Sequence, residues 1–240
     1  MNRMILMLLI MQVAVNINGF CQLNRAVNDT ILKVIKTADF IPTGDGSNAA
    51  WAKAEWIALR SLKNSSPYAT RFKIMYSDSG IYCLYKNEDH HITSTLKGDF
   101  ENLYTEDVVE AFFWPDQSVP LYFEYELSPA NYELPILVPN FNGKFLGWRP
   151  WHYDGVRRTR HAVYIGKDSS GADSVLSWTA EFYIPYALLK PLQNVPPHKG
   201  TQWKANFYRI DYDHGQAGWS WRPVNRSYHE IDKYGTLIFE

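Results

Sequence analysis

Cysteine is scarce: the 240-residue chain has only Cys21 and Cys83. No framework of several disulfides can hold it, so an apolar core has to. Charge of one sign is also missing. Lys and Arg total 24 against 25 Asp and Glu, scattered except for one local arginine group. No basic stripe follows a phosphate backbone, which excludes nucleic acid as the expected partner. The apolar run over residues 4–15 is too short to span a bilayer. The strand–helix alternation of a parallel sheet is absent, as are internal repeats and low-complexity tracts. So are the Gly-x-Ser-x-Gly nucleophile turn and the His-Glu-x-x-His zinc helix.

The amino terminus is present and informative. Arg3 supplies a positive start, residues 4–15 an apolar stretch, and residues 16–21 a polar end with Gly19 and Cys21 at the small-x-small positions. This reads as a signal peptide over 1–21 with Gln22 at the mature terminus, and so as an exported protein, periplasmic, cell-surface or secreted. Acylation of Cys21 as a lipoprotein anchor is the alternative, and the bulky Phe20 fits it poorly. The remaining residues 22–240 are long enough for one domain with a single core.

Aromatic residues are abundant: 9 Trp, 16 Tyr and 12 Phe. Each indole N–H and phenol O–H needs a partner when buried, so some rings are expected to face solvent or ligand. Short alternating or β-branched and aromatic runs recur at 71–76, 81–86, 108–114, 121–127, 162–165, 175–184, 202–210 and 236–239. They predict an all-β antiparallel sandwich with jelly-roll or immunoglobulin-like layering. Ser77, Asp78, Ser79 and Gly80 have the composition of a tight hairpin turn. Helix is limited to a turn or two at 186–192, begun by Pro185 and ended by Pro191. Residues 135–160 read as a long irregular connection, a place where function is common.

Four ordered segments resemble carbohydrate-binding module family 9 and its single-domain exported relatives. They are Tyr76-Ser-Asp-Ser-Gly-Ile-Tyr-Cys-Leu-Tyr-Lys-Asn-Glu-Asp89; Tyr104-Thr-Glu-Asp-Val-Val-Glu-Ala-Phe-Phe113; Leu176-Ser-Trp-Thr-Ala-Glu-Phe-Tyr-Ile-Pro185; and Trp219-Ser-Trp221 with Ser227-Tyr-His-Glu-Ile-Asp-Lys-Tyr-Gly-Thr-Leu237. The resemblance implies a non-catalytic module that clamps a terminal sugar ring between two aromatic side chains, here Tyr104 and Tyr228. Apolar C–H faces of a pyranose pack on such rings while its hydroxyls demand polar groups at the rim. The family often has Trp at both positions, and Tyr offers less stacking area. Glu110 matches an acidic position that accepts sugar hydroxyls. Glu124 and Glu126 fall near positions where relatives place basic or amide donors. The resemblance also allows structural calcium, with no Asp/Asn-rich loop to name as its ligands. The implied partners are mono-, oligo- or polysaccharides and a co-exported glycoside hydrolase.

Several residues have two readings. Asp107 and Glu110, three apart on a strand, point to opposite faces and do not form a hydrolytic pair. Asp107 reads as a structural acceptor of backbone donors, and Glu110 as either structural or ligand-binding. Tyr122, Glu124 and Glu126 share one face by alternation, either a solvated surface or the floor of the cleft. Trp148, Trp151, Arg157 and Arg158 combine aromatic platforms with guanidinium forks, which suits an acidic or sulfated glycan. Otherwise these Trp residues cover the sandwich and the Arg residues pair on its surface. Trp178, Trp203 and Trp221 alternate as core residues, and Trp219 is placed at the cleft edge. His90 and His91 lack zinc-type spacing. Two other functions compete: a glycan-active hydrolase or lyase, and a haem-binding electron-transfer sandwich using Met75 and His161.

Overall fold

The computed structural model describes residues 30–62, 67–151, 154–167 and 175–240, with the side chains of residues 175 and 176 left out; the leader read over 1–21 lies outside these residues. Among the described residues the strands are β1 (Ile31–Lys36), β2 (Ile57–Ala58), β3 (Arg60–Ser61), β4 (Thr70–Tyr76), β5 (Gly80–Glu88), β6 (Val108–Trp114), β7 (Leu121–Leu127), β8 (Glu133–Phe141), β9 (Lys144–Phe145), β10 (Arg149–Pro150), β11 (Arg160–Lys167), β12 (Val175–Pro185), β13 (Gln202–Asp211), β14 (Ala217–Ser220) and β15 (Gly235–Phe239). All eight runs read from the sequence are strands, and the helical pieces among the described residues are short 3-10 turns.

One sheet runs β10-β8-β7-β6-β13-β15, the other β4-β5-β12-β11. Strand β1 joins them, with Ile31 to Val34 parallel to β15 and Ile35 and Lys36 parallel to β4. The pairings of β6 with β7, β7 with β8, β6 with β13 and β4 with β5 are antiparallel. The turn expected at 77–80 closes the β4–β5 hairpin, the Ser77 amide donating to the Gly80 carbonyl at 2.9 Å.

Alternation decides which side chains fill the space between the sheets. Val109, Ala111 and Phe113 of β6, Phe123, Tyr125 and Leu127 of β7, and Trp203, Ala205 and Phe207 of β13 meet Phe72, Tyr85, Trp178 and Phe182 of the other sheet. Ring centroids 4.1 Å apart for Phe72 and Phe207, and 4.6 Å for Tyr125 and Phe182, mark the contact between layers. Trp178, Trp203 and Trp221 are core residues, as expected.

The opposite parity of β6, β7, β8 and β13 builds a second apolar cluster on the outer face of the first sheet. It contains Phe112, Tyr122, Ile136, Tyr208 and Ile210, covered in part by Val224, Ile231 and Tyr234 from the carboxy-terminal segment. On the outer face of the other sheet Glu181 of β12 accepts from the amides of Thr43, Gly44 and Gly46 and from the Trp51 indole at 2.8 Å, anchoring the 43–51 loop. Gly44 is required there: its φ is +88°, and a Cβ would lie 2.8 Å from the Val163 backbone nitrogen.

The irregular connection expected at 135–160 is in part regular, since β8 pairs with β7 from Leu121↔Pro139 to Leu127↔Glu133. Pro135 and Pro139 suggest a loop, but their carbonyls face away from β7 and accept from Trp151 and Leu146. Their missing N–H groups therefore fall on the lightly paired side of β8, where proline is tolerated. Residues 185–192 make successive turns without a regular helix, the Leu188 amide bonding the Pro185 carbonyl at 2.9 Å.

Candidate functional site

A cavity of about 380 Å³ opens on the outer face of the first sheet. Its floor is β6, β7 and β13, and its walls come from three separate connections. Tyr104 reaches it from the 3-10 turn Leu103–Thr105 before β6, Phe145 and Trp148 from the β9–β10 region, and Tyr228 and His229 from the segment before β15. A cavity of similar size beside β1 is lined mainly by aliphatic and charged residues, with Trp221 as its one aromatic side chain.

Glu110, Glu124 and Glu126 share the floor of the aromatic cavity. The sheet register brings them together: Glu110 lies directly opposite Glu126, and Glu124 follows two residues away on the same face. They offer oxygens within 4.8 Å of one another and are almost wholly buried. The solvated-face reading of Glu124 and Glu126 is therefore corrected: they lie beneath covering loops. Oxygens Oε2 of Glu110, Oε2 of Glu124 and both of Glu126 have no hydrogen-bond partner. Burial pushes the Glu110 carboxyl up to about 8. Burial, together with the neighbouring carboxylates, holds Glu124 and Glu126 well above the usual range.

His229 does not neutralise this acid. Burial lowers it to about 4, and its Nδ1 shares a 2.5 Å hydrogen bond with the Tyr122 hydroxyl while lying 3.9 Å from Glu124. Phe145 stacks on the His229 ring at 4.1 Å. Tyr122 is thus a buried support rather than a ligand platform.

The two proposed clamp residues have different surroundings. Tyr104 meets Trp148 edge-on at 6.5 Å. Tyr228 stacks on buried Tyr208 at 4.4 Å with an 8° interplanar angle. The Tyr228 hydroxyl fits against Gly218, where a Cβ would lie 2.3 Å from it. Gly218 is therefore the gap that seats Tyr228.

Of the ten residues selected from the sequence, Tyr104, Glu110, Glu124, Glu126, Trp148 and Tyr228 line the cavity, and Trp151, Arg157, Arg158 and Trp219 do not. Trp219 is corrected from the cleft edge to the core. It is 1% exposed, donates its indole N–H to the Tyr68 carbonyl and lies under the Arg209 guanidinium. On β14 the outward parity belongs to Gly218, which sends Trp219 inward. Trp151 is half-buried against the inter-sheet core, donates to the Leu188 carbonyl and carries the Arg157 guanidinium 5.1 Å above its ring. Arg158 is exposed, and His152 and Tyr153 of the same loop lie outside the described residues. Among the described residues the cavity is lined by carboxylates and by neither Lys nor Arg, so the acidic-glycan expectation finds no basic residue there. Phe145 and His229 were missed as cavity residues. Phe145 lay within the connection already marked for function, and His229 adjoins Tyr228.

Asp107 is structural, as read: its two oxygens accept from the Thr93 amide at 2.7 Å and the Tyr212 amide at 2.9 Å. It belongs to another carboxylate group, with Asp89 and Asp213. Asp89 accepts from Arg209 at 3.0 Å and the Trp178 indole at 2.9 Å, and Asp213 from the Tyr68 hydroxyl at 2.9 Å. Protein donors thus serve this group apart from Oδ1 of Asp213, which has no hydrogen-bond partner. The haem pair has no common site: Met75 packs with Trp51 and Tyr82, whereas His161 bonds Asn131 and lies 3.6 Å from Glu133.

The fold is a β-sandwich with a ring-walled cleft on one outer face. Residues 43–134 match the carbohydrate family 9 binding domain-like model, in agreement with the sequence resemblance. This stretch includes Tyr104 and all three glutamates of the floor. Among solved structures the chain is similar to a candidate carbohydrate-binding protein from Bacteroides uniformis ATCC 8492, at 19% identity and TM-score 0.71, covering 88% of this chain and 99% of that one. It is also similar to a carbohydrate-binding module family 9 from Caldicellulosiruptor kristjanssonii. The complex with cellotriose aligns at 16% identity and TM-score 0.63, covering 88% and 93% of the two chains. The glucose complex aligns at 15% and 0.62, covering 88% and 95%. No curated protein matches the chain.

Proposed function

We propose that the chain is a non-catalytic module that holds a sugar ring, at a chain end, in the cavity walled by Tyr104, Trp148, Phe145 and Tyr228. The observation that carries this reading is the convergence of these rings, from three distant segments, over one polar floor. Aromatic walls with a few convergent polar groups are the composition of a saccharide site. The likeness to sandwiches solved with glucose and cellotriose supports it.

The carboxylates favour binding over hydrolysis. A glycosidase needs one carboxyl kept as acid and another kept ionised, with environments that separate them. Here burial pushes all three glutamates the same way. Export through residues 1–21, and work beside a co-exported glycoside hydrolase in polysaccharide use, complete the proposal. Isothermal titration of the mature protein with glucose and cellotriose tests the site. Binding that is lost in Tyr104→Ala and Tyr228→Ala supports it, and unchanged affinity in both moves the site elsewhere. Release of reducing sugar from a polysaccharide panel would overturn the non-catalytic reading. Amino-terminal sequencing of exported protein should begin at Gln22.

A further inference from the structure

We infer that the cleft selects a sugar bearing a free protonated amine, of the glucosamine type, with its ammonium group seated on Glu110, Glu124 and Glu126. This rests on the sugar-binding reading of the cavity and names its substrate class. Placing Glu110 opposite Glu126 in register is unfavourable in an antiparallel pair. The cost is compounded by burial, because Glu110, Glu124 and Glu126 are 2%, 4% and 0% exposed. Among the described residues four of their six oxygens meet no donor in good hydrogen-bond geometry, and Glu124 and Glu126 are left to interact with each other. Buried polar groups in a folded protein are normally satisfied, so this floor is short of donors and of positive charge.

Among the described residues the cavity lining supplies neither, since it contains no Lys or Arg. The remaining titratable lining groups, Tyr104, Tyr228 and His229, bring no cation either, since burial keeps His229 neutral near pH 7. An ammonium group carries three N–H donors and no acceptor, the complement of these glutamates once they give up their protons around it. A neutral sugar brings hydroxyls without charge, and an N-acetylated sugar brings a single amide N–H. A divalent cation would satisfy the acids but leave the rings of Tyr104, Phe145, Trp148 and Tyr228 without a ligand face to cover. A pyranose with a free amine uses both the walls and the floor.

The test is calorimetric titration of the mature chain at pH 6.5 with glucosamine, glucose, N-acetylglucosamine and calcium chloride alone. Glucosamine is expected to bind at least about tenfold tighter than glucose or N-acetylglucosamine, the scale of one charge-assisted contact. In Glu124→Gln and Glu126→Gln, which keep side-chain volume and remove charge, the preference for glucosamine over glucose should fall to about threefold or less. Glucose binding with no preference for the amine overturns this inference and leaves the sugar site standing. Absence of binding to every sugar overturns both. Tight calcium binding lost in Glu126→Gln, with no glucosamine preference, assigns the floor to a metal instead.

Discussion

Two groups of buried carboxylates, on the same β-scaffold, are treated in opposite ways. Around Asp89 and Asp107, burial raises the carboxyls to about 6 and about 7, while Arg209 and the amides of His91, Thr93 and Tyr212 pull them back. Around Glu110, Glu124 and Glu126, burial is joined at Glu124 and Glu126 by repulsion from their neighbours, and no Arg or Lys among the described residues lines the cavity. The first group is a structural joint between the sheets, offset by a buried guanidinium and by backbone amides. The second is an acceptor surface left open, and strain of that kind is characteristic of a site that a ligand completes.

Breaking the joint should have the largest effect. Arg209 is wholly buried and links Asp89, Asp211, Thr70 and the Glu88 carbonyl. Arg209→Met strands those acceptors, and a loss of about 3–5 kcal/mol is expected in urea unfolding. A loss under about 1 kcal/mol would show that the two groups are energetically alike.

The open floor should respond with the opposite sign. These glutamates have native pKa values above their unfolded ones, so the native state holds their protons longer. Stability should therefore fall as pH rises from about 4.5 towards 8, through the window between the unfolded value and the Glu110 value. Glu126→Gln should gain about 1–3 kcal/mol at pH 8 and almost nothing at pH 4. A destabilised variant at pH 8 would mean that the floor is already compensated.

Removal of a wall should change binding and not this pH profile. Tyr104→Ala and Tyr228→Ala are each expected to weaken sugar binding by about 1–3 kcal/mol in calorimetry. Gly218→Ala should displace the Tyr228 hydroxyl and weaken binding in the same direction, by less. Smallest of all, Arg157→Ala and Arg158→Ala should alter affinity less than about twofold, because neither residue lines the cavity. A larger change would restore the arginine loop to the site.

Much of this was legible in the chain because strand periodicity is local. The eight runs, the 77–80 turn, the inward Trp178, Trp203 and Trp221, and the structural duty of Asp107 all follow from alternation and turn chemistry. Strand β8 was hidden by Pro135 and Pro139, whose harmlessness depends on which side of the strand has a partner. Trp219 was misplaced because four residues of β14 carry too little pattern to fix parity, and only Gly218 against Tyr228 settles it.

By itself the sequence determined an all-β chain with an aromatic surplus, an Asp-x-x-Glu segment and one shared face for Glu124 and Glu126. Tertiary structure decided that this face is covered, that Glu110 stands across from Glu126, and that rings from residues 104, 145, 148 and 228 close over them. The reason is physical: facing direction repeats every two residues along one strand, whereas register and the paths of long connections depend on contacts between segments far apart in the chain.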